Sequence, residues 1–246
     1  MMLKKWLKRL GPDVGADNES NRELWLEQTL RDIPAGSRIL DAGAGTQRYR
    51  RYCPHLKYVS QDFAQYDGRG DSVGLQTGEF DYGKLDIVSD ITQIPEPASS
   101  FDAILCSEVL EHVPDPIAAI KEFARLLQTG GRLLLTAPFC SLTHFSPYHF
   151  STGFNRYWYE KHLTENGFRI SELRSNGDYF SYLAQELRRV PMVSTKYSNK
   201  RLGLKERTTL LLARSMLARL QTRDSGSAEL MCYGYHVVAI RQSGAQ

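Results

Sequence analysis

The sequence predicts a doubly wound α/β fold, a mostly parallel sheet with helices on both faces. Three features point to it. Short apolar runs at residues 38–41, 56–61, 85–89, 101–106, 131–137, 168–174 and 235–241 read as seven strands. Helix-type stretches stand between several of them, the alternation that parallel strands with crossover connections require. A Gly-x-Gly turn, Gly43-Ala44-Gly45, follows the first run directly, where an α/β sheet passes into a helix against a ligand.

Residues 3–10 place Leu3, Trp6, Leu7 and Leu10 on one helical face and Lys4, Lys5, Lys8 and Arg9 on the other. This is a basic amphipathic helix, read either as a flanking helix docked on the core or as a membrane-surface or substrate-lid element. A second helix over 21–31 leads through Pro34-Ala35-Gly36 into the first strand. Asp115-Pro116 opens a helix reaching about residue 128, with Gly130-Gly131 past its end. A helix over 155–166 is stopped by Gly167.

Two connections depart from the alternation. Residues 65–83 are polar and Gly-rich where a crossover helix belongs, so that helix is expected to be shortened or replaced by loop. About sixty residues separate the sixth and seventh strands, including the helical stretch TTLLLARSMLARLQTR. The expected organisation is an N-terminal helical segment over 1–35, a ligand-binding domain over 36–178 and 229–246, and a basic helical insertion over 179–228.

Composition narrows the class. With 41% hydrophobic and 24% charged residues over 246, the chain has enough apolar material for one elaborated core, and disorder is excluded as the main state. A net charge of +3 is too small an excess to argue for nucleic-acid binding, and no RNA-binding module accompanies the basic residues. Cys53, Cys106, Cys140 and Cys232 show neither a Cys-x-x-Cys pair nor zinc-ligand spacing and read as reduced thiols. With no apolar run of membrane-spanning length and no secretory pattern, the expected location is the cytoplasm, with peripheral contact to an anionic membrane left open by the N-terminal helix.

The site is expected at the C-terminal ends of the strands, where an open α/β sheet binds its ligand. Asp41 ends the first strand ahead of Gly43 and Gly45, whose lack of a Cβ lets a ligand lie against backbone. Asp62 ends the second, where a carboxylate can accept from both hydroxyls of a ribose. Asp90 follows the third and can accept from an adenine amino group, with the Ile91 backbone at the ring edge.

On the segments ILDAGAG (39–45), SQD (60–62), DITQIP (90–95), FDAILCSEVLEHVPDP (101–116) and LLQTGGRLLLTAPF (126–139), the chain resembles the class I S-adenosylmethionine-dependent methyltransferases of the ubiquinone-biosynthesis and type-11 groups. The resemblance runs over about residues 36–175 and resumes at YGYHVVAIR. It implies a Rossmann-like sheet whose last strand is antiparallel, and S-adenosylmethionine as cofactor. Asp41, Gly43 and Gly45 would meet the methionine moiety, Asp62 the ribose, Asp90 and Ile91 the adenine, and Ser107 and Glu108 the sulfonium. Gln47 departs from the family, which often has a third glycine there.

Methyl transfer is a direct displacement, so a base is needed only where the nucleophile carries a proton. The candidates are His149, His112 and Glu108, with His149 expected to orient or deprotonate a hydroxyl at the acceptor mouth. His144, Tyr148 and Phe150 are the expected acceptor-binding residues. Pro147 breaks any helix between His144 and His149, and no metal ion is expected. The basic residues of the insertion, Arg188, Arg189, Lys196, Lys200, Arg201, Lys205, Arg207, Arg214 and Arg219, form either a solvated face or a surface for an anionic acceptor or lipid. Three functions are carried forward: O-methylation of a small or glycan-type acceptor, methylation of a lipid or quinone precursor at the membrane surface, and a non-catalytic S-adenosylmethionine-binding sensor or partner subunit.

Overall fold

The computed structural model describes residues 13–243; the amphipathic segment at 3–10 lies outside them. The chain divides into two compact units, one formed by residues 22–174 and 234–243, the other by 13–21 and 175–233.

The larger unit is built on a seven-stranded sheet with strands β1 (Arg38–Ala42), β2 (Lys57–Asp62), β3 (Ile87–Val88), β4 (Phe101–Ser107), β5 (Leu127–Pro138), β6 (Phe168–Asn176) and β7 (Gly234–Arg241). Their order is β3-β2-β1-β4-β5-β7-β6. The first five pair in parallel, and β7 runs antiparallel to β5, with Leu135 opposite Val237. All seven expected strands form, and the last has the expected antiparallel sense. The central strands are apolar on both faces: Ile39, Leu40, Ile104, Leu105, Leu133, Leu134 and Leu135 are all fully buried, as a sheet covered on both sides demands.

The helix α1 (Asn18–Arg31) brings Trp25, Leu26 and Leu30 onto Ile39, Leu105, Leu134 and Val238. The next, α2 (Pro116–Leu126), begins as its sequence dictates, with Asp115 Oδ1 accepting from the Ala118 N–H at 2.9 Å and Pro116 in the first turn. It ends at Leu126, two residues before the expected end, because Leu127 already pairs with Phe101 as the first residue of β5. The ladder then shifts register before Arg132 meets Ala103, and Gly130 at φ +84° lets the excess residues bulge out. Helix α3 (Arg156–Glu165) is capped by Asn155, whose Oδ1 accepts from the Trp158 N–H. Between β2 and β3 no helix forms, as the Gly-rich composition predicts, and β3 itself is shorter than the expected 85–89.

In the smaller unit, α4 (Tyr179–Tyr197) and α5 (Leu204–Gln221) pack through Ala184 and Leu217, which share a cluster with Val14. Of the two, only α5 carries the helical stretch that the sequence singles out. Pro191 sits inside α4 on a stretch of exposed and half-buried residues, where water can satisfy the carbonyl that its missing N–H leaves. Two arginines of the basic run serve the unit itself: Arg188 Nε donates to the Val14 carbonyl at 2.9 Å, and Arg189 pairs with Glu186.

Candidate active site

Strand order reverses direction between β1 and β4, and a cavity of about 500 Å³ opens at the C-terminal ends of these strands. That is the switch point at which doubly wound sheets bind ligands, and the volume lies within the range of small-molecule sites, about 300–1,000 Å³. Of the sequence-derived site residues, Asp41, Gly43, Gly45, Asp62, Asp90, Ile91, Ser107, Glu108, His112, His144 and Tyr148 line this one cavity. His149 and Phe150 do not lie in its wall.

Asp41 and Asp62 stand at adjacent strand tips, both buried. The Tyr58 hydroxyl donates to Asp41 Oδ2. Burial nevertheless dominates and pushes the Asp41 carboxyl up to about 7, with the neighbouring Asp62 charge adding to the effect. Asp62 Oδ2 accepts from the Gly45 N–H at 2.8 Å and Oδ1 from the Ala64 N–H at 3.1 Å, which ties the glycine turn to the tip of β2. Burial raises its pKa against these donors. Two desolvated carboxyl groups therefore face the cavity, an arrangement that fits a ligand bringing positive charge and hydroxyl donors.

Gly43 has φ +78°, and a Cβ there would come within 2.6 Å of both Val109 methyls. The glycine is required by the approach of the β4 loop to the turn. Gln47, at φ +56°, points its amide away from the turn: Nε2 donates to the Tyr82 and Lys84 carbonyls, each at 2.9 Å. It thus pins the Gly-rich segment over the site. Asp90 is exposed, and its Oδ1 accepts from the Thr92 N–H and hydroxyl, while Ile91 is buried beside it.

Beyond β4, Ser107 Oγ meets Thr136 Oγ1 at 2.8 Å, and Thr136 Oγ1 donates to Glu108 Oε1. Glu108 Oε2 pairs with Arg22 at 3.0 Å. Glu108 holds φ +56°, a strained conformation for a residue with a side chain and one that clusters at functional sites.

A turn at Leu110–His112 follows. Its Glu111 is 1% exposed, and neither carboxylate oxygen finds a hydrogen-bond partner among the described residues. Burial, reinforced by Glu108, raises its pKa well above the carboxylate range. His112 Nδ1 meets the Tyr148 carbonyl, and burial followed by the neighbouring His144 lowers its pKa to about 3. His149 stands behind His144, ring centroids 4.9 Å apart, with Nε2 at 3.2 Å from the Ser141 hydroxyl. Phe150 is half exposed, and its N–H donates to the Glu111 carbonyl.

A methyltransferase-domain family model matches residues 16–195, nearly three quarters of the chain. The chain belongs to the methyltransferase-domain family. Over 107 residues it is 38% identical to a ubiquinone biosynthesis O-methyltransferase of Xanthomonas axonopodis pv. citri, a match covering 42% of this chain and 44% of that protein. Over 175 residues it is 30% identical to a demethylmenaquinone methyltransferase of a Mycobacterium species, covering 68% and 67%. The chain thus spans less than half the length of the first of these relatives. Among solved structures, a phosphoethanolamine N-methyltransferase 2 of Haemonchus contortus in complex with S-adenosyl-L-methionine superposes with a TM-score of 0.53 at 17% identity, covering 91% of this chain and 53% of that one. A likeness at that identity speaks for the fold.

Within this methyltransferase domain, several wall residues escaped the sequence reading. Tyr66, Phe80 and Tyr82 come from the Gly-rich segment between β2 and β3, and Phe145 stacks on Tyr66 at 4.4 Å. Their one sequence signal was aromatic residues inside a polar, glycine-rich stretch. Glu111 was also missed. Chain spacing offered no metal face, yet ligand atoms of Glu111, His112 and His144 lie within 4.8 Å of one another.

Proposed function

We propose that the chain is an S-adenosylmethionine-dependent methyltransferase that acts on an oxygen nucleophile of a small acceptor. The observation that carries this reading is the pair Asp41 and Asp62, buried at adjacent strand tips of one cavity in a methyltransferase-domain fold.

The bound cofactor would supply a methyl group on a sulfonium sulfur. Around it, Asp41 offers a carboxylate to the ammonium of the methionine moiety and Asp62 accepts from the ribose hydroxyls. Asp90 and Ile91 border the adenine. Ser107 and Glu108 flank the reacting end, held by Thr136 and Arg22. The aromatic residues Tyr66, Phe80, Phe145 and Tyr148 exclude water and give an acceptor ring a flat surface. Of the candidate histidines, His112 and His144 lie in the wall beside the acceptor space, and His149 stands behind His144.

A quinone-precursor acceptor is the second reading. It is favoured by the aromatic wall and by relatives named for ubiquinone and menaquinone methylation.

Incubation of the purified chain with methyl-labelled S-adenosylmethionine and a panel of phenolic quinone precursors, catechols and nucleotide-linked sugars tests both readings. Mass spectrometry should find one labelled methyl on an oxygen of one acceptor class. Label appearing only on nitrogen or carbon acceptors would overturn the O-methylation reading.

A further inference from the structure

We propose that Glu111, His112 and His144 form a binding site for a single divalent first-row transition-metal cation, such as zinc or cobalt, with an open coordination position toward the cavity for the acceptor's oxygen. The role at the acceptor rests on the O-methylation reading above; the site itself does not.

Glu111 is buried with neither carboxylate oxygen hydrogen-bonded among the described residues. A carboxylate with both oxygens buried and without a hydrogen-bond partner is costly in a folded protein and asks for a cation or a donor. The charge of the Arg22 guanidinium favours ionised Glu111, but Arg22 forms its ion pair with Glu108 and leaves both Glu111 oxygens without a hydrogen bond. A proton on Glu111 answers only half the problem: His112 Nε2 and His144 Nε2 stand 3.8 and 3.9 Å from Oε1, too far for the acid to donate to either. Those separations suit another arrangement. Two atoms bound to one ion at about 2.1 Å in tetrahedral geometry stand about 3.4 Å apart, so ligand atoms that now lie within 4.8 Å of one another must draw together by side-chain rotation, by up to about 1.5 Å, to close on a metal.

The imidazoles are oriented for ligation. His112 Nδ1 meets the Tyr148 carbonyl, and His144 Nδ1 meets the Leu142 carbonyl at 2.8 Å. A carbonyl on Nδ1 fixes the proton there and presents Nε2 as a lone-pair donor, the second-shell pattern of metal-bound histidine. In both rings that Nε2 is the atom turned toward Glu111.

The Glu111 carbonyl accepts from the N–H groups of Phe150 and Ser151, at 2.9 and 3.1 Å, which fastens the loop after β5 to the turn after β4. The residues that would share one ion are thereby held together by backbone.

Two imidazoles and one carboxylate suit a zinc-like ion better than magnesium or calcium. Three protein ligands leave at least one position open, as in catalytic metal sites. Because His112 and His144 line the cavity, that position faces the acceptor. A hydroxyl bound there would release its proton to solvent and hold the oxygen as the anion, which is the form that accepts a methyl group.

The test uses the full chain stripped of metal by a chelator. Titration with zinc chloride in a calorimeter, and with cobalt chloride followed by visible absorption, should show one ion per chain and a rise in melting temperature. Glu111→Gln should weaken zinc binding at least about 100-fold and abolish that rise, while the metal-free variant melts no lower than the metal-free wild type, because the amide, like the protonated acid, carries no buried charge. His144→Ala should lose the cobalt bands, and Cys140→Ser should keep them. Substoichiometric binding by the wild type, or unchanged binding by Glu111→Gln, would overturn the proposal. Glu111-dependent binding in a chain that methylates no oxygen acceptor would support the site and overturn the O-methylation reading.

Discussion

The Tyr58 hydroxyl donates to Asp41 Oδ2 at the tip of β1, and this single side-chain donor does not offset the burial that lifts Asp41 to about 7. A cationic ligand group beside Asp41 favours its ionised form. Binding in the lower range therefore expels a proton, and affinity should fall as pH drops from 7.5 to 5.5, by up to about tenfold per pH unit below 7. Calorimetric affinity for S-adenosylhomocysteine across this range checks the slope, which Asp41→Asn should flatten. The same shift has a sign for stability. Asp41 keeps its proton in the fold to about pH 7 but ionises near 3.8 when unfolded, so its contribution to stability falls as pH rises through that window.

Gly43→Val should abolish cofactor binding and lower the melting temperature. The new Cβ would press on Val109, and a β-branched residue resists φ +78°. Val109→Ala in the same chain should recover part of the stability, because it removes the clashing methyls, but little of the binding. Equal recovery of both would contradict the assignment of the turn to the ligand.

Among the histidines, the wall should matter more than the residue behind it. His144→Ala should lower turnover with the identified acceptor by at least about 100-fold, and His149→Ala by less than about tenfold, with cofactor affinity kept in both. Steady-state kinetics at saturating acceptor decides the order. A larger loss for His149→Ala would return that residue to the acceptor mouth, where the sequence alone puts it.

Arg188→Ser should cost stability through the lost bond to the Val14 carbonyl, about 1 kcal/mol. Cofactor affinity should be unchanged. Thermal unfolding alongside calorimetry separates the two effects, and a loss of cofactor affinity would contradict this reading of Arg188.

The sheet and the carboxylates were legible because their signals are local. An apolar run ending in Asp, followed by Gly-x-Gly, sets strand, turn and site within a few residues, and Asp41, Asp62 and Asp90 all reach the cavity wall. The remaining wall depends on chain folded back from a distance. Phe145 stacks on Tyr66 across a long separation in sequence, and no periodicity encodes that meeting. Glu111 reads as one more polar residue of a short turn until the loop after β5 closes over it. His149 stands one ring behind the wall, and a loop's direction, unlike a strand's, is not set by local residue type.

The central claim is that the cavity between β1 and β4 binds S-adenosylmethionine through Asp62. Asp62→Ala removes the acceptor for two ribose hydroxyls and strands the Gly45 and Ala64 N–H groups. The expected loss is about 1.5–3 kcal/mol, tenfold or more in affinity. Calorimetry with S-adenosylhomocysteine on the wild type and on Asp62→Ala is the most direct measurement. The account predicts one ligand per chain for the wild type and at least tenfold weaker binding for a variant that remains folded. No binding by the wild type, or equal binding by the variant, would contradict it.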